Sequence, residues 1–409
     1  MRLSSEQKET ALNTWFTPAQ PATKNYVSRG HLDKTIQRTF ETKGQQILIY
    51  GQTGAGKTSM VIDNLNSLYT KYGTDNIRIQ ISETTTLDSF KADVAQALKL
   101  VRNVNQSQTK GVSGKVTASA NLISWFSTSL QGTGQTSTTT STEFYSGNDE
   151  FAIIQEVLFK RDTILVIDDM EKLHDETLRT RLAEVAKNMS DNSVSYSESY
   201  AKIIFVGIAD TANQLIKADS SLESRLDTIE VPYLNIQESS KIIETGWSKA
   251  QLISTKSQIK HITYIAAGIG HIVHELGKNV GYAALDNNID VIEDTFIETS
   301  ISDVFMKKSV TYSNMLEKAK NKVATKTKMR NIVLYVIANS NDNSLSLNDV
   351  LNGVNKITAP VVKANNSVSP VLSQLKGNIL VSDSRNSWGF SDPMFKVYVR
   401  AHSDELIKK

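Results

Sequence analysis

The chain has 409 residues with 45 basic and 43 acidic side chains, a net charge of +2, so no global charge excess commits it to nucleic acid or to a membrane surface. It contains no cysteine, which excludes disulfides, thiolate metal sites and a cysteine nucleophile. A hydrophobic share of 39% and a charged share of 22% fit a globular chain of two or three domains; with no apolar signal core in MRLSSEQKET and no run of about eighteen apolar residues, a cytoplasmic protein with no membrane partner is expected.

QILIY (46–50) is a short apolar run ending at Gly51 and predicts a buried strand. GQTGAGKT follows, and TSMVIDNLNSLYTKYG then has helical spacing that closes on Gly73. NIRIQIS (76–82) reads as a second strand and SFKADVAQALKLVR (89–102) as a helix. Residues 103–148 are rich in Ser, Thr, Gly and Gln and read either as an inserted β-hairpin arm, with Trp125 and Phe126 as anchors, or as disorder. FAIIQEVLFK is helical, and TILVIDD (163–169), AKIIFVGIAD (201–210) and TIEVPYL (228–234) are further strands. Strands alternating with helices predict an α/β fold, a parallel sheet covered on both faces. After residue 235 the pattern turns helical. The expected division is a core over 1–235, a helical domain over 236–308, a connector over 309–330 and a mixed tail over 331–409. The connector and its end are basic: Lys318, Lys320, Lys322, Lys326, Lys328 and Arg330.

Gly51, four residues, then Gly56-Lys57-Thr58, between a strand and a helix, is the spacing and context of a phosphate loop. Side chains must be absent for backbone N–H groups to turn onto an anion, and the helix that follows points its positive end at the same spot. Gly51, Gln52, Thr53, Gly54, Ala55, Gly56, Lys57, Thr58 and Ser59 are therefore the candidate cradle. Lys57 would reach the β- and γ-phosphates, and Thr58 would give its hydroxyl to Mg²⁺. TILVIDD supplies the carboxylate such a loop needs: Asp168, at a strand end, to hold Mg²⁺. Asp169 is the candidate for orienting the attacking water, with Glu171 as the alternative. Asp210 ends the fourth strand and is the candidate γ-phosphate sensor. Arg225, just before the last strand, is the candidate cation for developing charge.

Together these residues resemble the AAA+ ATPases of the origin-recognition-like branch, especially prokaryotic predicted ATPases with a C-terminal winged helix. WFTPAQPATKNYVSRGHLDKTI (15–36) is similar to the family's leading segment, whose Arg29 region flanks the adenine. GQTGAGKT resembles Walker A, ILVIDD Walker B, and VGIADTANQLIKADSSLESRL the stretch from sensor 1 to the arginine finger. AAGIGHIVHELG resembles the lid helix, with His271 where many relatives carry the sensor-2 arginine; Asp169 stands where active relatives carry Glu. SPVLSQLKGNILV resembles a recognition helix bearing Lys376, and SWGFSDPMFKVYVR a returning strand and closing helix, with Arg385 in the wing.

The resemblance implies a P-loop NTPase core, a helical lid and a winged helix, with ATP and Mg²⁺ as cofactors; no guanine-specific NKxD motif is present. It implies a homo-oligomer in which Arg225 reaches a neighbouring subunit's nucleotide. The first functional expectation is an ATP-hydrolysing assembly switch that regulates a protein effector in phage defence or a mobile-element system. The second is a DNA-binding ATPase of the replication-initiator or transposition-regulator type. The third is a nucleotide-bound structural subunit with weak turnover.

Overall fold

The computed structural model describes residues 3–100, 150–306, 309–321, 328–340, 342, 344–358, 361–362, 367–382 and 387–407. The expected arm at 103–148, with Trp125 and Phe126, lies outside them, as do Lys322, Lys326 and Arg385. Two compact units divide the chain: a sheet unit, Gly30–Gly51 with Val61–Glu230, and a helix-rich unit, Met1–Arg29 with Gln52–Met60 and Val231–Lys409. Among the described residues no helix is long and apolar enough to cross a membrane.

The sheet unit holds five strands: β1 (Gln46–Tyr50), β2 (Asp75–Gln80), β3 (Thr163–Asp168), β4 (Ile203–Gly207) and β5 (Leu226–Glu230). They run parallel in the order β2-β3-β4-β1-β5. The inner strands β3 and β4 are buried at every residue and β1 at all but Tyr50, whereas the edge strands β2 and β5 carry exposed positions. That is why QILIY, TILVID and IIFVG read as unbroken apolar runs: helices pack on this sheet rather than leaving a wet face. Leu48, Phe90, Leu165, Ile167, Leu182 and Phe205 form part of the resulting core. The fold is the α/β P-loop class.

One strand ends sooner than its composition suggests. AKIIFVGIAD leaves the sheet at Gly207, and the helix Ala209–Ala218 begins within it. A Cβ at Gly207 would stand 2.4 Å from Thr211 Oγ1, and that hydroxyl accepts the Ile208 amide at 3.2 Å, closing a tight strand-to-helix turn. Asp210 therefore sits in a helix's first turn and not at a strand end.

Lys202, at the head of β4, is wholly buried. Its ammonium donates to the carbonyls of Thr39 (3.2 Å), Phe40 (2.7 Å) and Thr42 (2.7 Å), where the helix His31–Glu41 ends. Helix ends leave carbonyls without intrahelical partners, and here a lysine from the neighbouring strand satisfies three of them. Burial pushes the Lys202 ammonium down to about 7.

In the helix-rich unit, the helix Ser5–Trp15 packs against the helices Ile236–Lys249 and Gly270–Asp286. The Phe16 ring lies where a Cβ at Gly246 or Gly277 would come within 2.2 or 2.4 Å of it, and Leu12 covers Gly281 in the same way. Residues 1–29 thus fall in the same unit as the C-terminal helices. The glycines of two distant helices form the recess for Phe16, a complementarity that reading the leading segment alone does not reveal.

Further along this unit come the helices Met329–Asn339, Leu347–Asn355, Ser369–Leu375 and Pro393–Ala401. With them is a small antiparallel sheet of β6 (Leu345–Ser346), β7 (Leu380–Ser382) and β8 (Ser387–Phe390), ordered β6-β8-β7. Arg400 is buried here. It donates to Ala338 (2.7 Å) and Ser340 (2.7 Å), at the end of Met329–Asn339, and to Tyr264 (2.6 Å), near the end of Lys256–Ala266. Burial lowers its guanidinium to about 10, so it stays charged at neutral pH while binding the small sheet's helices to the helices before them.

Candidate nucleotide site

β1 is extended one residue by the Gly51 amide, which donates to the Gly207 carbonyl at 3.2 Å. The chain then enters the loop. Gly54 (φ +82°) and Gly56 (φ +87°) take left-handed conformations that side chains disfavour. The Ala55 amide donates to the Gln52 carbonyl at 3.1 Å, and the Met60 amide to the Gly56 carbonyl at 3.0 Å, which opens the helix Lys57–Tyr72. A glycine-shaped turn thus feeds straight into a helix start, where main-chain amides have no carbonyl of their own. Lys57 Nζ bends back and donates to the Gln52 carbonyl at 3.2 Å. Thr58 lies in the same first turn.

Neighbours in the helix-rich unit hold this loop. The Gly270 amide donates to the Gly54 carbonyl at 2.8 Å. A Cβ on Gly54 would meet Ile269 Cγ2 at 2.7 Å and His271 Nδ1 at 3.0 Å. His271 therefore stands at the loop. Arg29 is also there: Nη1 donates to the Pro232 carbonyl at 2.5 Å and Nη2 to that of Ala55. Ser59, expected in the cradle, has its hydroxyl oxygen accepting the Ala22 amide at 2.9 Å, so it fastens the leading segment to the loop. Sequence reading missed His274, whose Nδ1 accepts the Thr17 amide at 3.2 Å. Burial holds its imidazole down to about 4, hence neutral; the only sequence signal was its spacing of three from His271. Gly54→Ala is expected to lower nucleotide affinity at least about tenfold, because both the backbone conformation and the space are denied to a methyl group. Titration with a fluorescent nucleotide checks this, with a thermal melt as the control for folding.

The acidic residues lie in the sheet unit. Asp168 ends β3 almost fully buried; its Oδ1 accepts the Asp169 amide at 3.0 Å, and Arg78 Nε is 3.4 Å from its Oδ2. Asp169 follows in a left-handed conformation (φ +60°), and its Oδ2 accepts from Gln80 Nε2 at 2.9 Å and from Lys172 Nζ at 2.7 Å. The hydrogen bond to Asp169 pushes the Lys172 ammonium up. Glu171, in the short 3₁₀ turn Met170–Lys172, has a buried Oε2 with no hydrogen-bond partner among the described residues. The two candidates for the water-orienting role therefore differ: Asp169 is already engaged by two donors, and one oxygen of Glu171 is not.

In a parallel sheet the strand ends Tyr50, Asp168 and Gly207 share one edge. Arg225 precedes β5 and so lies at the opposite edge. Its Nε and Nη2 are each 2.9 Å from Asp191 Oδ1, and its Nη1 donates to the Ser221 carbonyl at 2.9 Å. Within one subunit, then, Arg225 is not brought to the edge that carries Asp168.

Residues 41–215 match the family described as AAA domain. A search of curated proteins finds no match. Among solved structures the chain is similar, at 14% identity, to Cdc6p from Pyrobaculum aerophilum (97% of this chain and 97% of that one, TM-score 0.49). It is similar at 14% identity to a Walker-type ATPase of Pyrococcus abyssi (91% and 95%, TM-score 0.47). It is likewise similar, at 14% identity, to the Orc1 protein of Aeropyrum pernix, solved in complex with DNA (99% and 99%, TM-score 0.46). The family match covers the glycine loop, the strand ending in Asp168 and four of the five parallel strands, so residues 41–215 are similar to the AAA domain family.

Proposed function

We propose that this protein binds Mg²⁺–ATP and hydrolyses it as an assembly-dependent switch acting on a protein effector. The observation that carries the reading is the loop itself: left-handed Gly54 and Gly56 leading from a buried parallel strand into the helix that begins at Lys57. The residues fit the group. The loop denies a side chain at Gly54, Lys57 supplies a cation, and Thr58 and Asp168 are hard oxygen donors. Among the described residues no three His, Asp or Glu side chains gather to cage a metal, which suits Mg²⁺ held largely by phosphate and water. When bound, Mg²⁺ would neutralise charge on the phosphates.

In this reading the loop amides and Lys57 hold and orient the phosphates. Asp169 or Glu171 orients the attacking water. Arg29 and His271 steady the loop from the helix-rich unit, and Asp210 is the candidate sensor. The position of Arg225 at the far sheet edge supports action on a second copy's nucleotide, so the active form is an oligomer. Rate per subunit is expected to rise with protein concentration in the wild type. In Arg225→Ala it is expected to be flat and lower by at least about 10³-fold, the scale of an arginine finger. Asp169→Asn and Glu171→Gln, assayed in parallel, identify the water-orienting carboxylate. A wild-type rate that is independent of concentration and of Arg225 overturns the assembly switch and leaves a nucleotide-bound structural subunit.

A second reading, a DNA-binding ATPase, is favoured by the tail. Helix, short strand, helix, helix and a two-stranded ribbon support a winged helix over 331–409. Arg330 Nη2 donates to Gln374 Oε1 at 2.7 Å, which joins the basic connector to the helix Ser369–Leu375, and Lys376 is exposed just beyond it. Salt-dependent duplex binding that requires ATP, measured by anisotropy, selects this reading.

A further inference from the structure

Asp168 carries a cation before any metal arrives. Arg78 lies on β2, opposite Val166 in register, and Gln80 lies opposite Asp168 itself. Residues 78 and 80 share one face of the strand, so β2 directs two polar side chains toward the acidic pair that ends β3. Arg78 Nε is 3.4 Å from Asp168 Oδ2; the carboxylate side chain is 4% exposed and the arginine side chain 33%. A nearly buried carboxylate is costly unless paired, and in low dielectric a guanidinium at this distance offsets much of that cost. A hard divalent ion seeks the same negative charge.

We infer that Arg78 competes with the metal for Asp168 and so sets the Mg²⁺ concentration at which nucleotide is taken up. With metal absent, Arg78 keeps Asp168 compensated and in place. When Mg²⁺ enters with the nucleotide, the guanidinium gives up Oδ2 and turns toward the solvent it already partly faces. Arg78 is thus a positioning residue that acts through Asp168. The inference rests on the nucleotide reading above, deepening it from which residues hold the metal to what the metal must displace.

The test titrates Mg²⁺ at a fixed level of a fluorescent, non-hydrolysable ATP analogue, with wild type, Arg78→Gln, Arg78→Lys and Lys57→Ala. Arg78→Gln is expected to reach half-saturation at about fivefold lower Mg²⁺, the scale of one partly exposed ion pair. Arg78→Lys, which keeps the charge, is expected to stay within about twofold of wild type. A thermal melt supplies the second readout: Arg78→Gln melts lower than wild type without metal, and the gap narrows as Mg²⁺ and analogue are added. Arg78→Met replaces the glutamine variant if that one fails to fold. A neutral variant that folds and needs as much Mg²⁺ as wild type overturns the inference alone. A wild type that fails to bind the analogue, or binds it no better than Lys57→Ala, overturns the nucleotide reading and this inference with it.

Discussion

Lys57→Ala is expected to weaken ATP binding and to lower turnover by about 10²- to 10³-fold, the scale of removing one hydrogen-bond donor from a developing anion. The side chain leaves the first turn of the helix Lys57–Tyr72 and bends onto the Gln52 carbonyl at 3.2 Å, so it already spans the loop that would hold the phosphates. The backbone amides around it can surround an anion but bring only partial charge. The ammonium is the one full positive charge within the loop sequence GQTGAGKT. It is half-exposed and adds little to the core, so the variant is expected to melt within about 2 °C of wild type, as surface substitutions do. Equilibrium binding of a fluorescent nucleotide, phosphate release and a melt decide the matter. An alanine variant that binds and turns over normally removes the basis of the nucleotide reading.

Lys202→Met is expected to destabilise the sheet unit by about 3 kcal/mol, enough to lower its melting temperature by roughly 6–12 °C. Methionine fills the space, but the carbonyls of Thr39, Phe40 and Thr42 lose their donor, that of Phe40 at a buried hydrogen bond. The effect has a pH signature. Burial lowers the folded ammonium to about 7, against 10.5 for an ordinary lysine. Between those values the unfolded chain binds a proton that the folded chain has released, so this group adds stability as pH rises through the window. The advantage of wild type over the methionine variant is therefore expected to widen from pH 7 toward pH 10. Denaturant melts at three pH values check both the size and the sign; an advantage that shrinks with pH refutes the burial argument.

The glycine loop was legible because its backbone demands composition: glycine takes the left-handed turns at 54 and 56 at least cost, and a lysine and a hydroxyl follow in the next turn. The parallel sheet was legible because strands covered by helices must be apolar at nearly every position, as TILVID and IIFVG are. Strand ends were read less well. IIFVGIAD looks continuous in hydropathy, and only the close approach of Thr211 to Gly207 shows that the chain turns there and carries Asp210 into a helix.

Local sequence by itself determined the loop, the acidic strand and the alternation that makes a P-loop core, because each depends on residues adjacent along the chain. Tertiary structure alone decided the pairings between distant residues. It gave residues 1–29 to the helix-rich unit through Phe16 in its glycine recess, tied Arg225 to Asp191, engaged Asp169 with Gln80 and Lys172, and set Arg78 against Asp168. Those contacts follow from strand order and helix packing, and hydrophobic periodicity records which face is buried but not which charged side chain will stand opposite it.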